Sequence, residues 1–225
     1  MSYALLALET AAPTCSVALH DGNTLRQRSI SGPGVHSEHL FVFVQGLLAE
    51  ACLSITALSA VLISAGPGSY TGLRIASSAA KGLLFGTDIP LIAVQTLAGI
   101  AAAGHGQENH KPHARIHAVL NARRTHLYHQ AFAAGPDGRL KAQSEPALRT
   151  LSDIRNDLRA GDILAGTGYE RLQLEDTPAL HNGLVLVSQK QALSAASLIS
   201  LHQQYGTQFA QMVPVEAFEP MYQPA

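Results

Sequence analysis

A glycine-rich segment is the clearest local feature of the chain that could bind a ligand. Residues 66–74 read Gly-Pro-Gly-Ser-Tyr-Thr-Gly-Leu-Arg, between a run of apolar residues and a predicted helix. At such a turn the backbone N–H groups and the helix dipole can hold an anion. The segment is not a Walker loop, because no Gly-Lys-Ser/Thr sequence ends it. A purely structural turn, in which the glycines permit close packing, is an equally weighted interpretation.

Two further turns could complete a nucleotide site. Glu9-Thr10 ends the first predicted strand, where a carboxylate and a hydroxyl can hold a hydrated Mg²⁺. Gly166-Thr167-Gly168 follows a later strand and could approach phosphate or adenosine. Ordinary hairpin and helix-start turns are the favoured interpretation, because short glycine turns are common. The candidate nucleotide or anion residues are Glu9, Thr10, Gly66, Gly68, Ser69, Thr71, Gly72, Gly166 and Gly168.

Histidine is abundant, with 11 in the chain, but its spacing does not indicate a metal site. His36 and His39 flank a predicted helix start and have no third ligand nearby, so we expect them to face solvent. A second group is predicted to form a solvated connector: His105, His110, His113 and His117. We predict no metal and no catalytic residue, since the sequence shows neither a nucleophile elbow nor a carboxylate pair with suitable spacing.

The segment Asn121-Ala122-Arg123-Arg124 places two guanidinium groups after a predicted strand. It could grip a phosphate or a partner carboxylate. The charged end of a hairpin is an equally weighted interpretation.

The elements that position these residues indicate an α/β chain. The first half is predicted in the order βββαβαβ, with the three opening strands forming an antiparallel meander. Ser37 is the predicted N-cap of the first long helix. A polar segment, 104–112, suggests a division into 1–104 and 105–225, with the last helix (about 191–205) available to pack back on the first part. The predicted elements of the first half are strands at Tyr3–Glu9, Thr14–His20, Thr24–Ile30, Ala60–Ala65 and Pro90–Val94, and helices from Glu38, over 72–85 and at Thr96–Ala103.

Composition restricts the class of protein. With 47% apolar and 14% charged residues among 225, the chain can build a large core and still leave an apolar partner surface. A net charge of −1 gives no overall attraction for nucleic acid. Cys15 and Cys52 are predicted to be reduced core residues. No apolar stretch approaches the roughly 20 residues that span a bilayer, so we expect a soluble, cytoplasmic protein with no membrane contact.

Several sequence blocks resemble one family. Residues Ala65–Ile75 are similar to the hallmark of the TsaB family, also called YeaZ. Further blocks follow in family order over nearly the whole chain, although 135–215 match only loosely. These supporting blocks are His36-Ser37-Glu38, Ala80-Lys81-Gly82-Leu83, Ile89-Pro90-Leu91, Asn121-Ala122-Arg123-Arg124 and Glu219-Pro220-Met221-Tyr222.

The resemblance implies an actin/Hsp70-like (ASKHA, ribonuclease H-like) α/β fold of two lobes, with mixed sheets flanked by helices. It also implies a non-catalytic scaffold acting with TsaD, the catalytic homologue, and TsaE, an ATPase. Together these proteins transfer threonylcarbamoyl from its adenylate to the adenosine beside the anticodon, in tRNAs reading codons that begin with A. The chain would then have no cofactor of its own. ATP or ADP could bind at the complex interface, and tRNA only within the complex.

The chain departs from the family pattern at two places. The family usually has Asp where Asn121 stands, and many members have Asp-Thr where this chain has Glu9-Thr10. TsaD holds its metal with two histidines spaced four apart on a helix. Here that spacing occurs only at His113 and His117, beyond the predicted linker, so no metal site is carried over. The competing interpretations are a small ATP-dependent kinase or ATPase of the same superfold, and a peptidase.

Two helices are predicted to carry the partner surface. On the first, inward Leu40, Val44, Leu47 and Ala51 leave small or apolar residues on the opposite side. We expect these helices to pair with TsaD or with a second copy of the chain, and Gly46→Glu to block that pairing. The alternative is that the chain itself buries Val42 and Phe85. The predicted partner residues are Val42, Gly46, Ala49, Arg74, Ser78, Lys81 and Phe85.

Overall fold

The computed structural model of the chain describes residues 3–105, 114–122, 124–135, 137–176, 183–188 and 193–221. They belong to two compact units. Among the described residues, the first comprises 3–96 and 194–221, and the second comprises those from Leu97 to Leu193. Within the described ranges, no helix is both long and apolar enough to cross a membrane.

The elements follow one another in mixed α/β order. Short 3₁₀ helices occur at Ile55–Ala57, Tyr169–Leu172, Leu174–Asp176 and Gly206–Gln208. In chain order the strands and α-helices are β1 (Leu5–Glu9), β2 (Thr14–His20), β3 (Leu25–Ser31), α1 (Val35–Glu50), β4 (Ala60–Gly66), α2 (Tyr70–Leu84), β5 (Leu91–Gln95), α3 (Thr96–His105), β6 (Arg115–Asn121), β7 (His126–Ala134), β8 (Leu140–Ala142), β9 (Ala147–Thr150), α4 (Leu151–Asp157), β10 (Ile163–Gly166), β11 (Val185–Ser188), α5 (Ala195–Tyr205) and β12 (Ala210–Val213).

The first unit is built on a six-stranded mixed sheet of order β12-β5-β4-β1-β2-β3. Strands β1, β2 and β3 pair antiparallel, which confirms the predicted meander, and β4 joins β1 in parallel. Every residue of β1 is buried, because α1 and α2 contact the sheet at β2 and β4, and α5 contacts it at β1 and β2. Leu6 and Leu8 of β1 share one core with Leu40 of α1 and Ala76 of α2.

The second unit is built on a second mixed sheet, of order β11-β10-β6-β7-β8, with β9 also pairing with β7. Strand β10 lies parallel to β6 and β11, whereas β7 is antiparallel to β6. Its core includes Val119, Leu127, Ile154 and Leu164. The predicted α/β class, with two mixed sheets flanked by helices, is confirmed.

The boundaries of the compact units differ from the predicted division into 1–104 and 105–225. The second unit begins at Leu97 rather than at residue 105. The reason is that the end of α3 packs on the second sheet: a Cβ on Gly104 would lie 3.2 Å from Ile116 and 3.3 Å from Ile163. Helix α5 and β12 belong to the first unit.

Two local predictions are wrong. Helix α1 begins at Val35 with Gly34 as its N-cap, whose φ of 75° suits glycine. Ser37, the predicted cap, lies inside the first turn, where its hydroxyl donates to the Gly34 carbonyl at 3.1 Å. Cys15 is buried as predicted, but Cys52 is exposed because it follows the end of α1 in a turn.

Two glycines of α2 should respond in opposite ways to replacement by alanine. A Cβ on Gly72 would lie 1.9 Å from the Thr10 carbonyl oxygen, whereas a Cβ on Gly82 meets nothing within 4 Å. Gly72→Ala should lower the free energy of unfolding by about 3 kcal/mol, since the clash involves backbone. Gly82→Ala should raise it by about 0.5–1 kcal/mol through helix propensity. Urea denaturation of both variants tests this, and equal effects would contradict the described packing.

Candidate partner-binding surface

Helices α1 and α2 present apolar side chains to solvent, and we call this outward face the α1–α2 face. On α1, Phe41 and Val42 are 47% and 55% exposed, although Leu40 and Val44 beside them are buried. Phe85, at the end of α2, is 89% exposed. The described part of the chain therefore does not bury Val42 or Phe85.

The other predicted partner residues differ in their exposure to solvent. Ala49, Arg74 and Ser78 are exposed. Lys81 is only partly exposed, because its ammonium group donates to the Glu216 carbonyl at 3.0 Å. This contact ties α2 to the segment after β12.

A groove of about 530 Å³ runs between the first halves of α1 and α2. Two of the lining residues contact each other: the Arg74 guanidinium lies over the Tyr70 ring, 4.4 Å from its centre. Tyr70 is 51% exposed, so an apolar partner side chain entering the groove would bury aromatic surface. The groove is lined by His36, Ser37, Leu40, Phe41, Tyr70, Thr71, Arg74, Ile75, Ser78 and Ala79.

Gly46 is not open to a partner helix as the sequence suggested. A Cβ there would lie 2.4 Å from Nη1 of Arg28, because the Arg28 guanidinium rests on the helix at this position. Arg28 also pairs with Glu50 one turn further along. A carboxylate introduced by Gly46→Glu would meet this cation, so that variant is a poor probe of the surface.

The glycine turn brings four of the predicted anion residues together, but in contact with one another. The Thr10 hydroxyl donates to the Gly72 carbonyl at 2.7 Å, and Gly72 N–H donates to the Ser69 hydroxyl at 3.2 Å. Ser69 N–H donates to the Ala11 carbonyl at 2.8 Å. A Cβ on Gly68 would lie 2.7 Å from that of Ala11. These internal bonds use N–H groups that an anion would need, although Ser69 and Thr71 themselves are exposed.

Glu9 points into the core of the first unit. Its side chain accepts hydrogen bonds from the Ser64 hydroxyl and, at 2.5 Å, from Ala11 N–H, and the residue is 1% exposed. Burial raises the pKa of Glu9 to about 7, although both hydrogen bonds act in the opposite direction. Gly66, close by, donates its N–H to the Thr96 hydroxyl at 3.1 Å.

In the second unit, the turn Gly166-Thr167-Gly168 closes strand β10 onto β6. A Cβ on Gly166 would lie 1.8 Å from the Val119 carbonyl oxygen, and its φ is 122°. Asn121 N–H donates to the Thr167 hydroxyl at 2.8 Å. This packing accounts for Gly166, while Gly168 also has a positive φ of 81°.

Arg171 makes a contact that the sequence did not indicate. It donates to the side-chain oxygen of Asn121 and, at 3.0 Å, to the Ala122 carbonyl. Fifty residues separate Arg171 from Asn121, so local pattern carries no signal for this pair. Arg124 is exposed with a φ of 59°, and Arg123 lies outside the described residues.

The histidines only partly follow expectation. His36 lines the groove and is partly buried, and the His39 ring lies 5.5 Å from that of Phe43. The prediction that His117 belongs to a solvated connector is wrong, because this residue lies in β6 and is 1% exposed. His110 and His113 lie outside the described residues. In the described ranges, no three His, Cys, Asp or Glu side chains are grouped so as to hold a metal ion.

Comparison with known proteins identifies relatives over nearly the whole chain. The family model of TsaD, tRNA N6-adenosine threonylcarbamoyltransferase, matches residues 34–148, about half of the chain. The tRNA threonylcarbamoyladenosine biosynthesis protein TsaB of Escherichia coli K12 is 28% identical over 97% of this chain and 93% of its own.

Two solved structures agree. YeaZ from Pseudomonas aeruginosa superimposes with a TM-score of 0.77 at 28% identity, covering 98% of this chain and all of its own. A second Pseudomonas aeruginosa structure, described as similar to peptidase YEAZ, gives 0.78 at 27% identity over 98% of this chain and 99% of its own. The chain therefore belongs to the homologous group that the family model describes. Within that group it is a member of the TsaB, or YeaZ, family.

Glu9→Gln should change how stability depends on pH. A buried carboxyl with pKa about 7, against 4.5 when unfolded, makes the folded state bind more protons between these values. Wild-type stability should therefore fall as pH rises from 4.5 to 7, and Gln should remove this fall. Above pH 7 the variant should be more stable by on the order of 2 kcal/mol.

Urea denaturation from pH 4.5 to 8 measures the difference between wild type and Glu9→Gln. Glu38→Gln, which removes an exposed carboxyl from α1, is the control and should follow wild type. A Glu9→Gln curve parallel to wild type would contradict the assigned burial of this charge.

Proposed function

We propose that the chain is a non-catalytic scaffold subunit that binds TsaD and, with TsaE, supports transfer of threonylcarbamoyl to tRNA. The substrate would be threonylcarbamoyl-adenylate, and the acceptor the adenosine beside the anticodon in tRNAs reading codons that begin with A. In this proposal tRNA contacts the chain only within the complex, in the cytoplasm. The α1–α2 face binds TsaD, and in its absence could bind a second copy.

The observation that carries the proposal is the exposure of Phe41, Val42 and Phe85 on two adjacent helices. Exposed apolar residues grouped in this way favour a protein partner. The name of the Escherichia coli relative, a tRNA threonylcarbamoyladenosine biosynthesis protein, supports the assignment to this modification.

The internal contacts of the glycine turn support a scaffold over an ATP-dependent kinase. A kinase would need the Glu9 carboxylate and the turn amides at the surface, whereas Glu9 is 1% exposed and Ser69 and Gly72 donate internally. ATP or ADP at the complex interface remains part of the proposal, with no cofactor held by the chain alone. We do not propose a peptidase, because the sequence shows no nucleophile elbow and the described residues hold no group of three His, Cys, Asp or Glu side chains that could bind a metal ion.

Charges introduced on the α1–α2 face should weaken binding to TsaD without unfolding the chain. Val42→Glu and Phe85→Asp each place a carboxylate in an apolar contact, and we expect at least a tenfold rise in Kd for each. Isothermal titration calorimetry with purified TsaD measures the Kd, and thermal melts of the variants alone should match wild type.

Met212→Glu is the matched control, because Met212 is 72% exposed in the same unit but lies on β12. It should bind like wild type. If Val42→Glu and Phe85→Asp also bind normally, the α1–α2 face is not the interface. If all three variants lose binding, the effect is one of net charge rather than of this face.

The isolated chain should show no threonylcarbamoyl transferase activity and negligible ATP hydrolysis. The reason is that the sequence shows no acid–base pair with suitable spacing and the described residues hold no group that could bind a metal ion, so activity should require TsaD and TsaE. A reconstituted assay that adds the three proteins singly and together tests this. Turnover by the chain alone that survives repurification and is lost on Glu9→Ala would overturn the scaffold proposal.

A further inference from the structure

Three buried side chains of the second unit are hydrogen-bonded in series. His117 on β6 lies between two partners: its Nδ1 is 2.9 Å from Nε2 of His129 on β7, and its Nε2 is 3.2 Å from Oδ2 of Asp162. The three residues are 1%, 3% and 5% exposed, respectively, for His117, His129 and Asp162. We call them the Asp–His–His chain. It links the β6–β7 hairpin to the turn before β10.

Charged groups on three neighbouring elements surround this chain. Arg115 of β6 binds Asp162 at 2.7 Å and the Asp157 carbonyl of α4 at 2.6 Å. Arg149 of β9 pairs with the Asp157 carboxylate at 2.5 Å. Asp162 also accepts from Arg159 N–H at 2.8 Å. The guanidinium groups of Arg115 and Arg149 repel a positive charge on His129, whereas the Asp157 carboxylate attracts it.

The geometry limits how many protons the two imidazoles can hold. With Asp162 ionised, His117 donates through Nε2 and its Nδ1 accepts from His129. One added proton can be accommodated if the donor and acceptor in the His117–His129 bond exchange roles. A second would place an N–H on both facing nitrogens, 2.9 Å apart, and destroy the bond.

The pKa directions agree with this limit. Burial, followed by repulsion from His117 and Arg149, lowers the pKa of His129 to about 3. Burial would raise the pKa of Asp162, but hydrogen bonds from His117, Arg115 and Arg159 outweigh it and lower the value to about 2. Asp162 therefore stays ionised while His129 stays neutral.

We propose that the Asp–His–His chain is an acid-sensitive lock, which holds the β6–β7 hairpin at neutral pH and opens when the two histidines must take a second proton. The unfolded second unit binds a proton on each histidine below about pH 6.5, whereas the folded unit holds at most one. Stability of this unit is therefore complete above pH 6.5 and falls as the pH is lowered, by about tenfold in the opening equilibrium per pH unit.

Hydrogen–deuterium exchange of the full wild-type chain from pH 7.5 to 4.5 tests the lock, after correction for intrinsic exchange rates. Amides of β6 and β7 should lose protection about tenfold per pH unit below 6.5, while those of β1 and β2 should not. Glu9 in the first unit acts in the opposite direction over this range, so exchange resolved by unit is needed. Equal loss in both units, or constant protection of β6 and β7, would overturn the proposal.

His129→Gln provides the second arm. Its side-chain amide can still donate to His117 but cannot be protonated, so the pH dependence in β6 and β7 should largely disappear. His126→Gln, on the same strand but partly exposed, is the control and should behave like wild type. If His129→Gln folds and keeps the wild-type pH dependence, the lock is not where we place it. The wild-type measurement decides the matter if the variant does not fold.

Discussion

The first unit depends on a close contact between the backbone of Thr10 and helix α2 at Gly72. No Cβ fits between them, since it would lie 1.9 Å from the Thr10 carbonyl oxygen. The same segment is hydrogen-bonded to the start of α2: the Thr10 hydroxyl donates to the Gly72 carbonyl, and the Ala11 carbonyl accepts from Ser69 N–H. Because this joint fixes where α2 leaves the sheet, it also fixes the direction in which Arg74 and Phe85 project.

The same joint explains how a sequence typical of an anion site can serve packing instead. Helix N-termini attract anions because their N–H groups lack partners. Here Ser69 caps Gly72, and Ala11 accepts from Ser69, so the chain supplies those partners itself. The buried Glu9 carboxyl beneath the joint is held by Ser64 rather than presented to solvent. Glycine therefore has a steric role at positions 68 and 72.

Periodicity predicted the elements well, and the apolar stripe of α1 is indeed its buried face. The alternation in β2 located the strand but not its burial, because the sheet is covered on both faces there and Cys15 to Leu19 are all buried. Periodicity also predicted that Val42 and Phe85 lie outward. It could not predict contacts between distant residues: Arg28 covers Gly46, and Arg171 reaches Asn121, through tertiary packing alone. His117 was misplaced for the same reason, since a polar residue is accepted in a buried strand only when partners such as Asp162 satisfy it. Ser37 failed as a cap because α1 begins two residues before it, at Val35, with Gly34 in the left-handed conformation at the N-cap.

The first unit is assembled from two stretches of chain separated by residues 97–193, which belong to the second unit. Its edge strand β12 pairs with β5, and Ala195 N–H at the start of α5 donates to Ser16 of β2 at 2.8 Å. During synthesis, β1 and β2 must therefore wait for α5 with one apolar face uncovered until the ribosome has passed residue 205. Such delayed closure exposes hydrophobic surface to other nascent chains. Fragments that end within the second unit should accordingly be prone to aggregate, and the last stretch of sequence governs solubility during folding.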